Sequence, residues 1–206
     1  LEMLTLPILR KMLHSAATEL KANSKYLCEL DGVAGDGDHG ITIGRMADVM
    51  QELLDVTTLN TMRALLDALG DAFMGINGGS AGPLWGTVFT GMAEGIDDQA
   101  ELTDLELRKM FTQAKLDFMD ISKAKPGDKT MVDALYPAID AIIETQGSLK
   151  EIMAAAAAAA KAGAEATSQM VARFGRAKNM GERSIGTKDP GAVSIAILFD
   201  GMAKAL

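Results

Sequence analysis

The sequence predicts an all-α fold, and three observations carry that prediction. Ala, Leu and Met are abundant while aromatic residues make up only 4% of the chain, so the side chains that favour strands are scarce. Apolar residues recur at three- and four-residue spacing in one segment after another. Glycine- and proline-rich stretches fall between these segments and stop them. With 206 residues the chain has the length of one domain, 1–206, and can bury a proper core.

Taken in order, the pattern gives eight helices. Leu6, Leu9, Met12, Leu13, Ala16, Ala17 and Leu20 mark the first, over Thr5 to Leu27 and ending near Leu30, with Pro7 in its first turn. Ile43, Met46, Val49, Met50, Leu53 and Leu54 mark the second, whose N-terminus lies close to His39 and Gly40. The third covers about Thr61 to Ile76, and the fourth runs through Leu84, Val88, Phe89 and Met92. Thr103 with Glu106 is a capping-box signal for the fifth, which ends near Ser122. The sixth covers about Met131 to Thr145. Ser148 with Glu151 opens the seventh, whose alanine run from Ala154 to Ala160 suits close packing between helices. Asp189-Pro190-Gly191 opens the eighth, with Asp as N-cap and Pro in the first turn.

Charge and cysteine content exclude several classes. A net charge of −8 argues against nucleic-acid binding and against attraction to anionic membranes. The most apolar stretch, Ala154 to Ala166, is too short and too charged to span a bilayer. Cys28 is the single cysteine, so no internal disulfide forms, and a reducing cytoplasm is expected. No basic segment followed by an apolar run opens the sequence, so a signal peptide is not expected.

The chemistry gathers in the stretch LDGVAGDGDHGITIGR, Leu30 to Arg45. It holds Asp31, Asp36 and Asp38 among four glycines. On a helix, at about 100° per residue, Asp31 and Asp36 would point roughly 140° apart, so a turn must bring the three together. Crowded carboxylates repel unless a positive charge lies among them, and hard divalent cations with oxygen ligands, Mg²⁺ or Ca²⁺, supply it.

Three further stretches are unusual: Asn77 to Pro83, Lys125 to Met131, and Gly175 to Gly191. Together with Gly35 to Thr42 they follow helices one, three, five and seven. Alternate loops of an up-and-down bundle share one end, so all four should meet at one rim. Helix N-termini after Gly40, Gly82 and Pro190 offer N–H groups to phosphate oxygens, and Arg176 and Arg183 offer charge-assisted bonds. Aspartates and phosphate sites together imply a metal-nucleotide. The G-x-G-x-x-G match at Gly35, Gly37 and Gly40 is not a dinucleotide fingerprint, because a helix precedes it and bare aspartates would face the pyrophosphate. The bland readings remain beside these: Asp36, Asp38 or Ser80 as caps, Lys129 as a solvated lysine, and Arg176 paired with Glu182.

LDGVAGDGDHG, GGSAGPLWGT, AKPGDKTM and GRAKNMGERSIGTKDPGA, in this order and spacing, resemble the nucleotide-binding L subunit of dihydroxyacetone kinases over almost the whole chain. The resemblance implies a closed barrel of eight antiparallel amphipathic helices with a nucleotide site at one rim. It implies Asp31, Asp36 and Asp38 as ligands of two Mg²⁺ ions. It implies ADP or ATP contacts at His39, Gly40, Ile41, Thr42, Ser80, Ala81, Ser122, Met131, Arg176, Asp189, Pro190 and Gly191, and assigns no residue of this chain as a catalytic base. The acceptor, dihydroxyacetone or a related ketose, would sit on a separate K-type subunit, for which nothing here matches. The phosphoryl donor is either exchanging ATP or a phosphotransferase-system M subunit that recharges bound ADP, and a second copy of the chain is a further candidate partner. The alternative reading is a nucleotide-binding regulatory module that contacts a transcription factor without turnover.

Overall fold

The structure is a computed structural model, described here for residues 4–206. Nine α-helices make up most of it: α1 (Leu6–Ala22), α2 (Ser24–Asp31), α3 (His39–Leu54), α4 (Met62–Met74), α5 (Ala81–Glu94), α6 (Asp104–Ile121), α7 (Val132–Glu144), α8 (Leu149–Ala166) and α9 (Pro190–Lys204). Two-residue strands β1 (Leu4–Thr5) and β2 (Glu101–Leu102) pair antiparallel, Leu4 opposite Leu102, and this is the sole ladder among the described residues.

The expected first helix is two. The chain breaks at Asn23, where the backbone leaves helical geometry (φ −100°, ψ 8°) and the side-chain Nδ2 donates to Glu19 O at 2.8 Å. An Asn amide that bonds to the preceding turn competes with the helix, which explains the break. Both pieces pack against α3 and α9, so the break bends the rod without turning it back.

The local signals set the other boundaries. Thr103 and Glu106 form the reciprocal capping box, with Glu106 N donating to Thr103 Oγ1 at 3.2 Å and Thr103 N to Glu106 Oε2 at 2.7 Å. Ser148 Oγ accepts from Glu151 N, and Asp189 Oδ2 accepts from Ala192 N at 2.8 Å. Between α8 and α9 two short 3₁₀ stretches, Thr167–Gln169 and Arg176–Ser184, occupy the loop, the second kinked at Gly181.

The helices contact one another in sequence, α1 on α3, then α3 on α4 and so on to α8 on α9, and α9 returns to α1. Small residues form the seams. A Cβ on Gly201 would fall 2.5 Å from Ala16 Cα, and one on Gly91 would fall 2.7 Å from Ala114 Cα. Within the alanine-rich α8, Ala156, Ala160 and Ala164 are buried, and Gly163 lies against the Asp133 carbonyl of α7. The close-packing expectation for the alanine run therefore holds. Larger side chains fill the interior, including Phe73 edge-on to both Trp85 and Phe89, and Phe118 against Tyr136.

Candidate functional site

The turn from Gly32 to Asp38 joins α2 to α3, and it gathers the three aspartates. One carboxylate oxygen from each of Asp31, Asp36 and Asp38 lies within 4.8 Å of the other two. Asp31 is the last residue of α2, and its Oδ2 accepts from the N–H groups of Asp38 (3.0 Å) and His39 (3.1 Å). Asp38 occupies the N-cap position of α3 yet makes no capping bond, so Asp31 does this work from the preceding helix. The turn depends on Gly37, whose φ of 76° suits a residue without a side chain.

The electrostatics show a charge deficit. The carboxyl of Asp38 is pushed above its ordinary value by loss of solvent, then by the hydrogen bond and charge of Asp36 and the charge of Asp31. Arg176 opposes this, with Nη1 2.6 Å from Asp36 Oδ2. This pairing replaces the Glu182 alternative. A cluster of hard oxygens facing one point, countered by a single guanidinium, is a donor set that fits divalent cations.

The neighbouring loops meet this turn. His39 opens α3; its Nε2 lies 3.1 Å from Ser194 Oγ of α9, and burial holds the ring below its ordinary pKa against the opposing charge of Asp31. Gly40 is buried because α2 passes directly over it: a Cβ there would collide with the Ser24 carbonyl. Ile41 stands half exposed, whereas Thr42 is buried, with Oγ1 3.5 Å from Gly78 O. Gly78 and Gly79, at φ 132° and 71°, swing the chain into α5, where Ser80 is an exposed N-cap residue without a side-chain bond to the helix and Ala81 is the first helical residue. Met131, buried before α7, lies beside Gly191, since a Cβ on Gly191 would sit 3.5 Å from Met131 Cβ. Ser122 is the C-cap residue of α6, and its Oγ accepts from Ala124 N at 3.3 Å. The N-termini of α3, α5, α7 and α9 thus share one end, as the loop order requires.

Beneath this end lies a polar group that sequence reasoning missed. Asp133 is buried and accepts from Gly127 N (2.6 Å) and Thr130 N (2.9 Å). The signal was present: Thr130 and Asp133 stand three apart before an apolar run, the spacing of a reciprocal cap. Lys129 is buried as well, which corrects the solvated reading. Burial lowers its pKa while Asp189 favours its charge. Asp189 itself is pushed up to about 7, by burial first and then by the charge of Asp133, although its bond from Ala192 N and the charge of Lys129 act in the other direction.

Comparison with known proteins agrees with this architecture. The family model described as the DAK2 domain matches residues 33–204. The chain is 36% identical over 201 residues to the L-erythrulose kinase of Pectobacterium atrosepticum, covering 94% of this chain and 34% of that protein. It is 35% identical over 185 residues to the "PEP-dependent dihydroxyacetone kinase, ADP-binding subunit DhaL" of Escherichia coli, covering 88% of each. The crystal structure of the dihydroxyacetone kinase of C. freundii in its native form superposes with a TM-score of 0.75 at 26% identity, over 96% of this chain and 34% of that one. The same kinase in complex with AMP-PNP and Mg²⁺ gives 0.71 at 26% identity, over 100% and 35%. The chain therefore spans about a third of the erythrulose kinase and of the crystallised kinase, and most of the DhaL subunit.

An all-helical chain with an acidic turn facing convergent helix N-termini is thus, by fold and by sequence, a relative of these kinases and of the ADP-binding DhaL subunit. It belongs to the DAK2-domain family, as a DhaL-type member.

Proposed function

We propose that this chain is the nucleotide-binding, phosphoryl-transfer part of a kinase for dihydroxyacetone or a related small ketose, with the ketose held by a separate K-type subunit or domain. One observation carries the reading: Asp31, Asp36 and Asp38 converge at the end where four helices open their N-termini. The ADP-binding DhaL relatives and the C. freundii kinase bound to AMP-PNP and Mg²⁺ support it.

In this reading residues 1–206 form one domain, and the ring of helix contacts is a closed barrel in which α1 and α2 count as one stave. Asp31, Asp36 and Asp38 hold two Mg²⁺ ions, which when bound offset the polyphosphate charge and polarise the transferred phosphoryl group. His39, Gly40, Ile41 and Thr42 contact the nucleotide from α3. Ser80 and Ala81 present backbone N–H groups to phosphate, and Arg176 adds a guanidinium fork. Ser122 and Met131 lie on the base side, and Asp189, Pro190 and Gly191 complete the site from α9. No base is required of this chain. The donor is exchanging ATP or a phosphotransferase-system M subunit acting on retained ADP, and the protein works in the cytoplasm.

The test is thermal unfolding with and without Mg²⁺ plus ADP, followed by a coupled assay. Ligand at a hundred times Kd stabilises by about 2.7 kcal/mol, a rise in Tm of roughly 5–10 °C for a chain of this size. An unchanged Tm overturns the reading. Adding a K-type subunit, ATP and dihydroxyacetone should give sugar phosphate; binding without turnover moves the assignment to the regulatory module.

A further inference from the structure

Lys129 combines three observations that the site as described does not use. The residue is only 6% exposed, and it is the one non-glycine residue with positive φ (62°) among the described residues. An L-residue in the left-handed region costs roughly 1–2 kcal/mol, so something must hold it there. Asp133 does so, taking the N–H groups of Gly127 and Thr130 on its two oxygens and pinning the backbone on both sides. The turn so fixed sends Nζ across to the loop between α8 and α9. There it donates to the carbonyls of Met170 (3.4 Å), Ser184 and Thr187 (2.5 Å). An ammonium has three protons, and three backbone acceptors take them.

Those carbonyls lie on both sides of Arg176 in the chain. The base of the loop is stitched to the same turn by Arg173 N to Asp128 O (3.1 Å), across itself by Ala172 N to Ser184 Oγ (2.9 Å), and to the 3₁₀ stretch after α8 by Gly186 N to Ser168 O (2.7 Å). The Arg176 side chain, by contrast, is 69% exposed and rests on Asp36 alone. We infer that Lys129 is a positioning residue: by clasping the backbone at 170, 184 and 187 it fixes the loop that carries Arg176 and so sets the guanidinium over the acidic turn. Its effect on nucleotide rests on the function proposed above; the clasp itself does not.

The experiment uses the full chain and two readouts. In Lys129→Met, which keeps the aliphatic length and removes the donors, the amides of Ala172, Arg173 and Gly186 should exchange with deuterium at least about tenfold faster, while those of α4 and α5 are unaltered. Mg-ADP should bind about tenfold more weakly, the usual scale for losing an outer support. In an Asp189→Asn background, which removes the carboxylate that the Lys129 charge also favours, adding Arg176→Met to Lys129→Met should cost no more than adding Arg176→Met alone, because both then act through one guanidinium. Unchanged exchange in the loop, or losses that add, would overturn the clasp. If Lys129→Met does not unfold cooperatively, Lys129→Gln takes its place with the same expectations. In the wild type the three loop amides should already be protected, and their free exchange would also overturn it. Failure of the wild type to take up Mg-ADP overturns the proposed function and leaves the exchange result to decide the clasp.

Discussion

Arg176 Nη1 lies 2.6 Å from Asp36 Oδ2, joining the loop before α9 to the turn before α3 across the mouth of the site. The two side chains are 69% and 42% exposed, so water screens the pair and its worth to the fold is small. Its meaning is electrostatic: without other cations, the guanidinium is the positive charge nearest the aspartates.

Asp36→Asn therefore separates stability from binding. The apo protein should lose less than about 1 kcal/mol, a Tm shift of no more than roughly 4 °C. The rise in Tm given by Mg²⁺ plus ADP should disappear. Scanning fluorimetry in EDTA and then in Mg-ADP checks both halves.

Asp189 makes stability fall as pH rises. Its carboxyl titrates at about 7 in the fold, against 3.8 for its ordinary value. Below about pH 4 both states are protonated and the fold bears no penalty. Between pH 4 and 7 the unfolded chain releases a proton that the folded chain keeps, and stability drops by up to about 4 kcal/mol. Asn caps a helix as well as Asp does, so Asp189→Asn should gain on the wild type between pH 4 and pH 8. Urea unfolding in EDTA at both pH values measures the difference.

His39 works in the opposite sense. Burial depresses its pKa from 6.5, so the fold loses stability as pH falls from about 6.5 towards the folded value, because the unfolded ring takes up a proton that the buried ring refuses. His39→Gln should flatten this acid limb of the same titration. A limb of unchanged steepness would show that the ring is solvated.

Gly40→Ala should break the seam between α2 and α3. The added methyl meets the Ser24 carbonyl and lies 2.7 Å from Cys28 Sγ, and Ser24 Oγ already donates to Gly40 O at 2.6 Å. Overpacking of this kind costs about 2 kcal/mol, and a lower urea midpoint at unchanged slope is expected. Since α2 ends in Asp31, weaker Mg²⁺ binding should accompany it.

The helices and caps were legible in the sequence because their causes are local. Thr103, Ser148 and Asp189 each bond within three residues, and the apolar spacing of Leu65, Leu69 and Phe73 states which face is buried. The convergence of the four loops followed from counting helices. It survived the break at Asn23 because α1 and α2 lie along the same neighbours. What was not legible depends on partners far away in the chain. Nothing near Lys129 announces carbonyls at 170, 184 and 187, and nothing near Arg176 announces Asp36. Asp31 offering its oxygen to the next helix was hidden likewise, because a cap is sought beside the helix it serves and not seven residues upstream.

The contact of α1 with α9 joins the first and last helices of the chain. Ser15 Oγ donates to Gly201 O at 2.5 Å, linking positions 186 residues apart; α2 and α3 also touch α9, and the remaining seams join helices that follow closely in sequence. Closing so long a loop costs more chain entropy than closing the short ones, so this seam is expected to form last. Until it forms, a nascent chain has every aspartate of the turn but lacks the His39 to Ser194 contact, and it should neither protect α1 from proteolysis nor retain nucleotide.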